Sequence, residues 1–227
     1  MLPQLYAWRE ELTTLSTNIK NLEVWLFLGA SKVLFGGKPG ELLLMRDEKN
    51  FGPSLEEQKI RCVKRLMEWG LSLFILRRER KGLSVVVYDR KRVNDVLRRV
   101  SGTPFWARAG YASRLTAEEF FDQVSRRWSV QGEFPHEIAV ALGYPLKDVV
   151  GFMQMSPIQY TGTYGWRVYG EKDSSLLLRD GFARAKNTAL NFLGCADDGS
   201  RYLFTRDYGM GESDTSVDCS TASGAYH

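Results

Sequence analysis

Histidine is nearly absent from this 227-residue chain: there are two, and one of them, His227, is the last residue. Cysteine is scarce too, with Cys62, Cys195 and Cys219 widely spaced and odd in number. No CxxC pair and no Cys/His cluster occurs, which argues against a disulfide framework and against a zinc knuckle. No metal site is expected. Long apolar runs are missing as well. The longest, Val24 to Ala30, falls far short of the roughly 20 residues that span a bilayer. Met1 to Leu12 lacks the basic, apolar, small-residue order of a signal peptide. These absences lead to the expectation of a soluble cytoplasmic protein with no membrane partner.

What is present is ordinary globular composition, 44% hydrophobic and 26% charged, over a length that suits one well-buried core. A single α+β domain is expected over residues 1–195, helix-rich around a small mixed sheet. Residues 196–227, rich in Gly, Ser, Thr and Asp without a sustained period, read as a flexible polar tail. The net charge is +4 but uneven: Arg77 to Arg99 holds nine basic and three acidic residues, leaving the rest near neutral. Such a stretch suits a solvated face, and equally a phosphate ligand, a nucleic acid or an acidic partner.

Leu12, Leu15, Ile19, Leu22 and Leu26 recur at helical spacing and predict one helix from Leu5 to Leu28. Glu41 to Arg46 reads as a strand buried on both faces. Ser54 with Glu57 forms a capping-box pattern that opens a helix ending at Gly70. Leu71 to Leu76 and Leu83 to Tyr88 read as a hairpin. Beyond Arg92 the chain turns helical: Thr116 with Glu119 caps a helix to about Val130, Pro135 and Pro145 each start a short one, and Ser174 to Leu193 forms the last. Trp166 to Tyr169 is a short strand.

Several motifs fail on inspection. His136-Glu137 begins an HExxH zinc motif, but Val140 stands where the second imidazole is needed. Gly36-Gly37-Lys38-Pro39 has the composition of a phosphate loop, yet helix precedes it, strand follows, and Pro39 removes a backbone donor. Cys62 has basic neighbours that favour a thiolate, but it falls on the core stripe with Leu66 and Trp69. Ala139, Gly143 and Val149 carry helix-turn-helix spacing. The second helix there offers Lys147 and little else to base edges. Asp89, Asp95, Glu118, Glu119 and Asp148 are the remaining acid–base candidates.

The run Gly132-Glu-Phe-Pro-His-Glu-Ile-Ala-Val-Ala-Leu-Gly-Tyr-Pro-Leu-Lys-Asp-Val-Val-Gly-Phe152 resembles the signature of a bacterial family, domain of unknown function 3793. Lys38-Pro-Gly-Glu-Leu42 and Gly165-Trp-Arg-Val-Tyr-Gly170 agree with it in order, and the resemblance extends over roughly Leu12 to Leu193. Where members often carry cysteine, this chain has Leu28-Gly29-Ala30-Ser31 and Thr163-Tyr164-Gly165, so no thiol role carries over. The resemblance implies a bacterial, cytoplasmic protein and assigns no activity or cofactor.

Aromatic and apolar groups around one titratable side chain suit a small-molecule site. The leading expectation is therefore a small-ligand or cofactor-binding protein, with catalysis left open. Its anionic ligand would meet Lys38, Arg77, Arg78, His136, Glu137 and Tyr144, the arginines binding bidentately. Two other readings stay open: a nucleic-acid-binding regulator using residues 139–152, and a non-catalytic interaction module.

Overall fold

The computed structural model describes residues 2–52 and 54–194; the expected tail lies outside the described residues. The chain opens with α1 (Leu2–Glu11) and α2 (Thr17–Gly29), not with one continuous helix. The hydroxyls of Thr13 and Thr14 donate to the carbonyls of Glu10 and Glu11, each at 2.8 Å. Local side-chain bonds of this kind compete with the helical ladder, so α1 ends there although the leucine period runs through.

A short helix α3 (Ser31–Phe35) leads into strand β1 (Gly40–Arg46). Helix α4 (Leu55–Glu68) follows, with the Ser54 hydroxyl accepting from the Glu57 amide as its cap. The expected hairpin is β2 (Ser72–Glu79) and β3 (Gly82–Tyr88). The strands order β1-β3-β2 and both ladders are antiparallel. The expected mixed pairing is thus corrected: β1 runs opposite to the central β3, and among the described residues no parallel pair forms. Leu43, Met45, Leu83, Val85 and Val87 face one core, with α1 to α4. Leu42, Val86 and Tyr88 face the other. This alternation follows from the two-residue period of a strand and explains why β1 reads as an apolar run.

The second core is covered by α5 (Arg90–Val100), α6 (Pro104–Arg108), α7 (Ala117–Gln131), α8 (Ile138–Ala141) and α9 (Leu146–Phe152). Thr116 and Glu119 form the full reciprocal capping box on α7. The helix expected at Pro135 begins three residues later, as the single turn α8, and Pro145 takes the N-cap position of α9. A small hairpin, β4 (Tyr160–Thr163) with β5 (Arg167–Tyr169), precedes the long α10 (Asp173–Leu193). The strand β4 escaped sequence reading because its residues are mostly exposed and show no apolar alternation. Among the described residues no helix is long and apolar enough to cross a membrane.

Candidate functional site

Two turns and one helix converge at the start of β1. Gly143 sits at φ 84°, and a Cβ there would lie 2.4 Å from Cδ of Pro39. Only glycine permits both the conformation and the approach, and that contact sets the turn carrying Tyr144 against the turn carrying Lys38. From the other side, a Cβ on Gly36 would lie 2.9 Å from the Ala185 Cβ. The small pair lets α10 close on the same place.

Lys38 is 1% exposed. Its ammonium donates to Oε2 of Glu41 at 2.5 Å and lies 4.7 Å from the centre of the Tyr144 ring and 5.1 Å from that of Phe182. Burying a lone ammonium is costly; here a carboxylate and two ring faces replace water. Glu41 is nearly as buried and also accepts from Lys32 at 2.9 Å. Burial acts to raise the pKa of Glu41, but the charges and hydrogen bonds of Lys38 and Lys32 outweigh it and hold the carboxyl below its ordinary range.

This cluster forms the floor of a cleft of about 220 Å³. Leu142, Tyr144, Trp166 and Phe182 supply its apolar walls, and Lys32, Lys38, Arg179 and Lys186 its cations. Among the described residues Glu41 is the single acidic one lining it. Arg179 is paired with Asp180 at 2.8 Å. Half-buried Lys186 has no carboxylate partner among the described residues.

The cleft wall is braced from behind by Asp148, which is fully buried in α9. It accepts from the Trp166 indole at 2.9 Å, the Tyr169 amide at 2.9 Å, the Ser175 hydroxyl at 2.7 Å and the Lys147 ammonium at 2.8 Å. One carboxylate thus ties α9, β5 and the start of α10 together and orients Trp166, whose ring meets Tyr144 edge-on at 5.2 Å.

The residues expected from sequence divide into separate groups. Lys38 and Tyr144 come together in the cleft. Arg77 stacks over Trp128 at 5.1 Å, and a row of rings runs on through Phe134 to His136 and Phe152. His136 is therefore packed among aromatics, with a buried Nδ1 that lacks a partner among the described residues. Arg78 is exposed on β2. Glu137 is buried and engaged, accepting from Tyr111 at 2.9 Å and Arg127 at 3.1 Å. None of these four lines the cleft at Lys38.

The other candidates are likewise occupied. Asp89 caps α5, Asp95 pairs with Arg98, and Glu118 holds Tyr88 and Arg90. Burial, with the Glu23 charge added, raises the pKa of the Cys62 thiol far above its ordinary value despite Arg61, which disfavours the thiolate. In the helix-turn-helix-like segment α8 is one turn long, and both polar side chains of the first turn of α9, Lys147 and Asp148, are turned to β5 and α10. A larger cleft of about 1,240 Å³ lies along α5 and residues 113–116, but its charges are mixed and several answer one another, as Asp95 and Arg98 do.

Sequence reasoning missed Glu41, Asp148, Trp166, Arg179, Phe182 and Lys186 as partners of one site. A charge inside an otherwise apolar strand or helix, as at Glu41 and Asp148, was the available signal. Nothing local announces Phe182 or Lys186, which arrive on a helix about 140 residues further along the chain.

Fold and cleft together define an α+β protein with a cation-rich cleft built around a buried lysine–glutamate pair. A family model described as protein of unknown function (DUF3793) matches residues 26–198, and the chain belongs to that family. No curated protein and no solved structure matches it.

Proposed function

We propose that this protein binds a small organic anion, a carboxylate or a phosphate monoester, in the cleft at Lys38. The observation that carries the reading is the convergence of four cationic side chains on about 220 Å³ whose one carboxylate among the described residues is already held by two of them. Lys32 and Lys38 place fixed positive charge at the floor, while Lys186 and Arg179 approach from α10. Tyr144, Trp166 and Phe182 offer flat apolar walls to the body of the ligand. The cleft is smaller than the roughly 300–1,000 Å³ of drug-sized sites, which fits a small metabolite. Glu41 is engaged by two lysines and is not available as a free base, so the reading is one of binding. The proposal includes a bacterial cytoplasmic setting, supported by the family resemblance, and recovery of the protein from the periplasm would contradict that part.

Titration calorimetry with acetate, benzoate and inorganic phosphate tests the cleft. Saturable binding is expected for at least one of them, weakening as salt rises. Lys186→Glu is expected to reduce affinity about tenfold or more, because a hydrogen bond to a charged group contributes about 1.5–3 kcal/mol. No saturable heat with any of the three at millimolar concentration, or equal affinity in Lys186→Glu, would overturn the reading.

A further inference from the structure

A second cleft, of about 430 Å³, adjoins the first. Its walls come from the turn at Pro39, from α5, α8 and α9, and from α10: Pro39, Val96, Val100, Val140, Leu146 and Leu178. The two clefts share three side chains, Lys38, Tyr144 and Phe182. Those are the buried ammonium and the two rings beside it. The same partition therefore faces a cationic space on one side and an apolar space on the other. Among the described residues no acidic side chain lines the second cleft, and besides Lys38 its one charged residue is Arg99, which is exposed.

We propose that the ligand of this site is an amphipathic anion, its head in the cleft of Lys32 and Lys186 and its aliphatic body in the adjoining cleft of Val96, Val140 and Leu178. The proposal rests on the anion-binding reading and narrows it. The two clefts divide the work: the first gathers the cations, and the second offers aliphatic walls without a concentration of charge. A molecule reaching both lies across Tyr144 and Phe182, whose ring faces suit methylene groups as well as they suit the Lys38 ammonium. A cationic tail would find no carboxylate among the described residues of the second cleft, and a strongly polar one would lose hydration against aliphatic walls without replacement.

The test is the affinity of a straight-chain series from acetate to octanoate, with the matching alkyl phosphates in parallel, measured by calorimetry on the full chain. Each methylene that leaves water contributes about 0.8 kcal/mol, which is up to about fourfold in affinity. The affinity is expected to climb with chain length and then level off when the second cleft is full. Val96→Trp fills that cleft from α5, and Leu178→Trp does so from α10 should the first variant fail to fold. In either, the ratio of octanoate to acetate affinity is expected to collapse toward one. Equal affinity for acetate and octanoate in the unaltered protein would overturn the amphipathic ligand and leave the anion reading standing. A chain-length dependence that survives in both tryptophan variants would overturn the placing of the tail. Binding of no member of either series would remove the anion reading and this inference together.

Discussion

His136 carries a cost that its surroundings do not relieve. Its ring is half-buried against Phe134 and Phe152, and its Nδ1 finds no partner among the described residues. Burial lowers its pKa from the ordinary 6.5, with Glu137 and Glu133 pulling weakly the other way. A histidine whose pKa is lower folded than unfolded binds fewer protons when folded, so its contribution to stability grows with pH. It is complete above about 6.5 and fades as pH falls through the unfolded value toward the folded one. The urea midpoint is expected to drop between about pH 7 and pH 5.5. His136→Phe, which keeps the aromatic contacts and removes the orphaned nitrogen, is expected to flatten that drop and to be neutral or stabilising at pH 7. His227 is retained in both proteins, so their difference isolates position 136. Identical pH profiles would refute the assignment. From the sequence this histidine was a ligand-site candidate; in the structure its ring packs between Phe134 and Phe152.

At the scale of elements, the site depends on turns more than on helices. The α8–α9 turn meets the α3–β1 turn only because residue 143 has no side chain. Gly143→Ala imposes a strained φ and a clash with Pro39, and is expected to cost about 1–3 kcal/mol and to weaken anion binding by moving Tyr144. Gly102 provides the control, since a Cβ there meets nothing within 4 Å and its φ is not left-handed. Gly102→Ala is expected to be neutral or slightly stabilising. Thermal midpoints of the two variants check this, and equal midpoints would show that the close approach at Pro39 is not required. Elements with strong local codes were legible: the Ser54 and Thr116 caps, the helix that Thr116 opens and the β2–β3 hairpin all form. The break between α1 and α2 was not, because the leucine stripe continues across it while two threonine hydroxyls capture the carbonyls.

Over the whole molecule, the sheet divides two cores and the helices outside the family match still complete one of them. The matched region begins at residue 26, yet Leu5, Trp8 and Leu22 are buried with α2 and α4. The Trp8 indole donates to Glu23 at 2.7 Å, beside the contacts of Arg61 and Arg65 to the same carboxylate. Trp8→Ala removes a large buried ring and one donor to a buried charge. A loss of about 3–5 kcal/mol is expected, or roughly 10 °C in the thermal midpoint of a chain this long. A shift within about 2 °C would mean that α1 is an accessory to the fold and not part of it.

The sequence by itself determined the α+β class, the caps at Ser54 and Thr116, the two-faced burial of β1, and the family, because each is written in residues close along the chain or in a contiguous motif. Only the tertiary structure decided the cleft. Lys38 and Glu41 stand three residues apart, but what makes them a site is Tyr144, Trp166, Phe182 and Lys186, brought in by Gly143 against Pro39 and by Asp148 tying three elements together. Desolvation and ring contacts are properties of neighbours in space, and no local period of charge or hydropathy encodes which neighbours those are.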